Sequence, residues 1–148
     1  MSATTHEDRL LTPQDLLAAA AEKENRDIEK ALAAKRRHEE ELRKLHDTFM
    51  AGEIGPEAPA RVNAAVRSAS EQGHREALMI RFPSDWCTDG GRAINNDDPD
   101  WPKSLEGIGK RGYAYWETHL KPLGYKTRAR IIDYPGGKPG DVGLYLAW

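Results

Sequence analysis

Apolar residues recur at steps of three and four through the first third of the chain and alternate with polar ones only near its end. From Pro13 to about Met50 two sets interleave: Ala21, Ile28, Lys35, Leu42 and Phe49, and Leu17, Glu24, Ala31, His38 and Leu45. They occupy the a and d positions of a heptad, and seven of the ten are apolar. The pattern predicts one helix of roughly 38 residues, about 57 Å long. Thr12 stands where an N-cap belongs and Pro13 at the first helical position. Gly52, Gly55 and Pro56 end the helix.

A helix of this length is rarely one element of a small core. The apolar seam residues Leu17, Ile28, Ala31, Leu42, Leu45 and Phe49 form the expected self-association surface, with a homodimer as the expected assembly. Glu24, Lys35 and His38 interrupt the seam and are the residues to set its register. A shorter helix is predicted from about Pro59 to Gln72, closed by Gly73, with Val62, Ala65, Val66 and Ala69 on one side. The expectation is that it folds back on the long helix as an αα-hairpin.

Alternation replaces helical spacing in the second half. Ala77–Phe82, Tyr125–Tyr134 and Val142–Trp148 read as strands, the last two joined through the turn sequence PGGKPGD. Between the first and second strands lie an irregular stretch and a helix from about Pro102 to Leu123, closed by Gly124. The fold class is therefore α+β: a long and a short helix, coiled-coil-like, then a β-α-β-β domain with a three-stranded sheet and one main helix. The expected organisation is a disordered N-terminus at 1–11, a helical arm at 12–75 and the α+β domain at 76–148. Aromatic content agrees with this division. Every tryptophan and tyrosine lies after residue 85, and Phe49 is the one aromatic residue before Phe82.

Charge adds a second asymmetry. The net charge is −2, but residues 101–148 hold eight Lys/Arg and four acids, leaving +4 there and −6 elsewhere. In the second strand Lys126, Arg128 and Arg130 share a face, and Arg81 and Tyr145 are expected to join them from the neighbouring strands. Such a face suits an acidic protein partner. One tyrosine is a thin stacking platform for bases, so nucleic acid is the weaker alternative.

The chemistry-bearing residues do not assemble into a complete catalytic pattern. The stretch FPSDWCTDGGRAINNDDPDW follows the first strand and contains Cys87, Asp89, Gly90, Gly91 and Arg92. With His119 supplied from the main helix, these residues are the candidate ligand- or anion-binding set, and Gly90-Gly91 could turn backbone N–H groups inward. A phosphatase-like loop would need arginine six positions after the cysteine, where Ala93 stands. A calcium loop would need a glycine and a final glutamate that NNDDPDW lacks. GIGKRG at residues 107–112 matches G-x-G-x-x-G, but no strand precedes it, so close packing rather than nucleotide binding is the expectation.

The five histidines show no metal spacing, and the single cysteine allows neither an internal disulfide nor a cysteine-based zinc cluster. No metal and no cofactor are expected. No apolar run reaches the ~18 residues of a membrane span, and no signal-peptide pattern opens the chain. The expected setting is the cytoplasm. The favoured function is a non-enzymatic interaction or regulatory protein that self-associates through its arm and presents an α+β binding face. The alternatives are a small enzyme or ligand sensor built on Cys87–Arg92, and a nucleic-acid-binding protein using the basic sheet face.

Overall fold

The computed structural model describes residues 9–148, so most of the expected disordered segment lies outside the described residues. The chain forms two compact units, the first ending at Lys44 and the second running from Leu45 to Trp148.

The first unit is helical. Helix α1 (Pro13–Ala51, 39 residues) starts in it and ends in the second. Its start is a capping box. Thr12 Oγ1 accepts the Asp15 N–H (3.1 Å), and Asp15 Oδ2 accepts the Thr12 N–H (2.9 Å). Arg9 reaches the same carboxylate at 3.2 Å. The Thr12 backbone N–H, the Thr12 hydroxyl contact and Arg9 hold the Asp15 carboxyl below its usual pKa. Residues 16–44 are all exposed. Among them Leu16, Leu17, Ile28, Leu32 and Leu42 are large apolar side chains left in solvent.

The second unit takes the last turns of α1 into a core. The Phe49 ring packs on Phe82 and on Trp86, both at 4.9 Å between centroids, and His46 stacks on Trp86 at 5.0 Å. Phe49 is therefore not available to a self-association seam; the sequence pattern is right about its burial and wrong about its partner. Arg111 donates to the Met50 and Gly52 carbonyls (2.9 and 2.7 Å). It thereby satisfies backbone acceptors that the end of α1 leaves unpaired.

Helix α2 (Ala58–Glu71) follows. It ends in a Schellman motif: His74 N–H bonds the Ala69 carbonyl and Gly73 N–H the Ser70 carbonyl, with Gly73 at φ +84°. Beyond the buried Ala58 of its first turn, Val62, Ala65, Val66 and Ala69 are its less exposed residues, as their spacing predicts. The element they serve is a strand, β1 (Glu76–Pro83), rather than the long helix expected from sequence. Helix α2 lies wholly within the second unit, which runs from Leu45.

A short helix α3 (Arg92–Asn95) and helix α4 (Gly107–Tyr115) precede strands β2 (Lys126–Ile131) and β3 (Asp141–Ala147). The sheet order is β1-β3-β2, with both pairings antiparallel. The α+β class and the three strands agree with the sequence reading. The main helix is more broken than its spacing suggests. A 3-10 turn at Trp101–Ser104 leads to extended backbone at Leu105 and Glu106, which carries Leu105 into the core at 3% exposure. After α4 the helix widens to a π turn at Trp116–Leu120, then tightens at Lys121–Leu123 around Pro122. Proline has no N–H for the i−4 bond, so regular α geometry does not continue through it.

The glycines of GIGKRG permit close packing. A Cβ on Gly107 would lie 2.6 Å from the Phe49 carbonyl oxygen, and one on Gly109 3.3 Å from the Phe82 ring. The core cluster is Phe49, Phe82, Cys87, Ile94, Leu105, Ile131, Val142 and Leu144.

Candidate functional site

The open face of the sheet is built by alternation and by one irregularity. On β2, Lys126, Arg128 and Arg130 are exposed while Thr127, Ala129 and Ile131 turn inward. Through the β2–β3 register Arg128 lies opposite Tyr145 and Arg130 opposite Gly143. Across the other edge of β3, Leu78 pairs with Tyr145 but Arg81 pairs with Gly143, because the register shifts between Leu78 and Ile80. Without that bulge, residues 78 and 81 would point to opposite sides. With it, Leu78 and Arg81 share the open face while Ile80 and Phe82 face the core.

The five residues expected there, Arg81, Lys126, Arg128, Arg130 and Tyr145, do come to one face. Their charge is partly spent within the chain. Arg81 Nε bonds Asp141 Oδ2 at 2.7 Å, and its other end lies 3.8 Å from Asp133. The Asp141 hydrogen bond, with the nearby charges of Asp141 and Asp133, raises the Arg81 pKa further, against a smaller opposing effect of burial. Arg130 pairs with Glu76 and lays its guanidinium 3.9 Å from the centre of the Tyr145 ring. Lys126 and Arg128 have no ion-pair partner within 4.0 Å among the described residues. Gly143 is what lets the Tyr145 ring lie flat here. A Cβ at Gly143 would meet Tyr145 Cε2 at 2.7 Å and Ile132 Cδ1 at 2.9 Å.

The face is therefore mixed, not simply basic: two unpaired cations beside Tyr145, with Leu78 43% exposed. Sequence reasoning missed Leu78, Ile132 and the acids Glu76, Asp133 and Asp141. Alternation could have flagged Glu76 and Asp141. Leu78 was hidden by the bulge.

The Cys87–Arg92 loop is organised around its own side chains. Cys87 is buried in the core, and burial, with Asp89 and Glu106 nearby, pushes its thiol up to about 11 against a weaker opposing hydrogen bond from Ser104. A thiol so placed is a poor nucleophile. His119 is exposed on the π turn with its ring 4.7 Å from that of Tyr115. Gly90 and Gly91 do adopt positive φ, +68° and +84°, as an inward-turning loop requires. The N–H groups of Gly91 and Ala93 are already bonded within the loop, however. Asp89 accepts from Gly91 (3.0 Å) and Ala93 (2.9 Å). Gly91 is also pressed against Ser84, whose Cβ would be 2.7 Å from a Cβ at this position. Arg92 is exposed. Residues Cys87 to Arg92 thus form one turn held together by the Asp89 carboxylate.

A cavity of about 380 Å³ lies within the second unit between α2, α4 with its π turn, and the covered face of the sheet. Val62, Ile80, Gly112, Trp116, Leu120 and Leu146 are among its walls. The Thr127 hydroxyl on this side already donates to the Tyr145 carbonyl (3.2 Å), and the Trp116 indole N–H to that of Tyr125 (3.0 Å).

Among the described residues no three His, Cys, Asp or Glu side chains gather as they would around a metal ion. No described helix is long and apolar enough to cross a membrane. No family model, no curated protein and no solved structure matches this chain.

Proposed function

We propose that this chain is a non-enzymatic cytoplasmic interaction protein that pairs with a second copy of itself through α1 and receives an acidic protein partner on the open face of its sheet. The observation that carries the reading is the stripe Leu17, Ile28 and Leu42, exposed at 71%, 50% and 45% on a helix whose residues 16–44 bury nothing. An isolated helix gains little from propensity alone and is stabilised chiefly by covering its apolar side. Covering one Leu or Ile side chain is worth about 2 kcal/mol. Six of them in a dimer give on the order of 12 kcal/mol, against about 4–15 kcal/mol for association. Alanines on the same stripe add to this, so gain and cost are comparable and the expected dimer is weak, forming in the micromolar to sub-millimolar range. The partner-binding part of the reading rests on Lys126 and Arg128, which retain free charge beside Tyr145 and Leu78. A cytoplasmic setting fits the single, buried cysteine.

The test is the Ile28→Glu variant, compared with wild type by light scattering from low to several hundred micromolar. The reading expects wild type to dimerise within that range and Ile28→Glu to remain a monomer with an intact second unit. Identical masses for the two proteins across the range would sink it.

A further inference from the structure

The polar seam residues decide how two copies of α1 pair. We infer that they pair antiparallel, in the one register that sets Glu24 of each copy against Lys35 of the other. This rests on the self-association reading above.

The stripe Leu17, Ala21, Glu24, Ile28, Ala31, Lys35, His38 and Leu42 advances by alternating steps of four and three and is exposed throughout. Two identical helices placed parallel and in register set every seam residue against itself. Glu24 would then face Glu24, Lys35 would face Lys35, and His38 would face His38. Two like-charge layers would sit in the least hydrated part of the interface, where opposed charges of one sign are costly.

Antiparallel pairing sets an a position against a d position. One alignment places Leu17 opposite Leu42 of the second copy, Ala21 opposite His38, Glu24 opposite Lys35 and Ile28 opposite Ala31, and repeats these layers in reverse. Each charged seam residue then meets its opposite, and the leucines close both ends. The larger Ile28 and His38 side chains meet alanines. On the flanks Glu39 and Glu41 fall beside Ala18 and Ala20, so no like charges are forced together. The paired stretch of 26 residues, Leu17 to Leu42, is about 39 Å long.

The neighbouring registers fail on the same residues. A shift of one heptad one way sets Leu42 on Glu24 and Lys35 on Ala31, and requires Phe49 against Leu17. Phe49 is held in the core of the second unit, packed on Phe82 and Trp86. A shift the other way sets Lys35 on Leu17 and Glu24 on Ile28. The interrupted seam therefore specifies orientation at some cost in affinity, the role best attested for polar seam residues.

Cysteine pairing tests this on the full-length chain, since Cys87 is buried and its own reactivity is measured in the wild-type control. Under mild oxidation the Leu17→Cys/Leu42→Cys double variant is expected to become mostly covalent dimer. Leu17→Cys alone is expected to stay uncrosslinked, because the two copies of residue 17 lie about 38 Å apart in this register. All positions are exposed, so folding is checked simply by far-ultraviolet circular dichroism. A second measurement reads the charges. Glu24→Lys and Lys35→Glu singly are each expected to weaken dimerisation by about tenfold, and the double reversal to return it to within about threefold of wild type.

Efficient crosslinking of Leu17→Cys alone would show parallel pairing and overturn the inference while leaving self-association intact. A dimer in which the double cysteine variant does not crosslink, or the double charge reversal does not recover, overturns the register likewise. A wild-type chain that stays monomeric at several hundred micromolar overturns the self-association reading itself.

Discussion

Leu42 and Phe49 occupy equivalent heptad positions on one helix, seven residues apart, and have opposite surroundings. Leu42 is 45% exposed, and Phe49 is 6% exposed among Phe82, Trp86 and the backbone of α4. A heptad reports only that a side chain is to be covered. It does not say whether the cover comes from the same chain or from another. The difference lies in what the rest of the chain brings to each position. Gly107 and Gly109 bring α4 up to Phe49 with no Cβ in the way, whereas no described residue covers Leu42.

The sharpest way to break this contrast is to truncate both side chains. Phe49→Ala is expected to destabilise the second unit by about 3–5 kcal/mol, through lost burial and the cavity left between Phe82 and Trp86. Leu42→Ala should change the stability of that same unit, read by urea unfolding, by no more than about 0.5 kcal/mol. Equal effects from the two would mean that the positions are alike after all. Gly107→Ala comes next. Its added methyl would meet backbone at 2.6 Å, at a φ of +56°, so a loss of about 2 kcal/mol is expected in the same assay. A neutral result would mean that α4 does not depend on this approach.

The first unit has its own, smaller test at the capping box. Thr12→Ala should loosen the first turn of α1 by about 1 kcal/mol, read as faster amide exchange near Asp15 with none near Phe49. Acid should act similarly. The folded Asp15 carboxyl titrates below its ordinary 3.8, so its contribution is present above that pH and lost as pH falls through the lower, folded value. The least visible prediction concerns Cys87. Its folded thiol ionises at about 11, its unfolded one near 9.0, so its contribution is full below pH 9 and declines up to about 11. The stability difference between wild type and Cys87→Ala should narrow over that interval. Rapid labelling of wild-type Cys87 at neutral pH would contradict the burial on which this rests.

What could be read from the sequence follows from the range of the interactions involved. Local rules were legible: the Thr12-Pro13 start and Gly73 stop, the alternation of Lys126, Arg128 and Arg130, and the three strands. The features that escaped depend on residues far apart in sequence. The bulge beside Met79 places Leu78 with Arg81, and no local signal marks it. Arg81 looked free until Asp133 and Asp141 arrived from the last hairpin. The Gly90-Gly91 pair marks a turn in the sequence but does not show that Asp89, only two residues before Gly91, bonds the Gly91 and Ala93 N–H groups. The apolar stripe of α2 is legible but its neighbour is not, because α1 and β1 both offer apolar side chains in sequence.

Sedimentation equilibrium of the wild-type chain, run across a wide concentration range, bears most directly on the claim that α1 is an association surface. The mass is expected to rise with concentration from one chain of 16.6 kDa toward two, with a midpoint in the micromolar to sub-millimolar range. A single 16.6 kDa species at every concentration would contradict it.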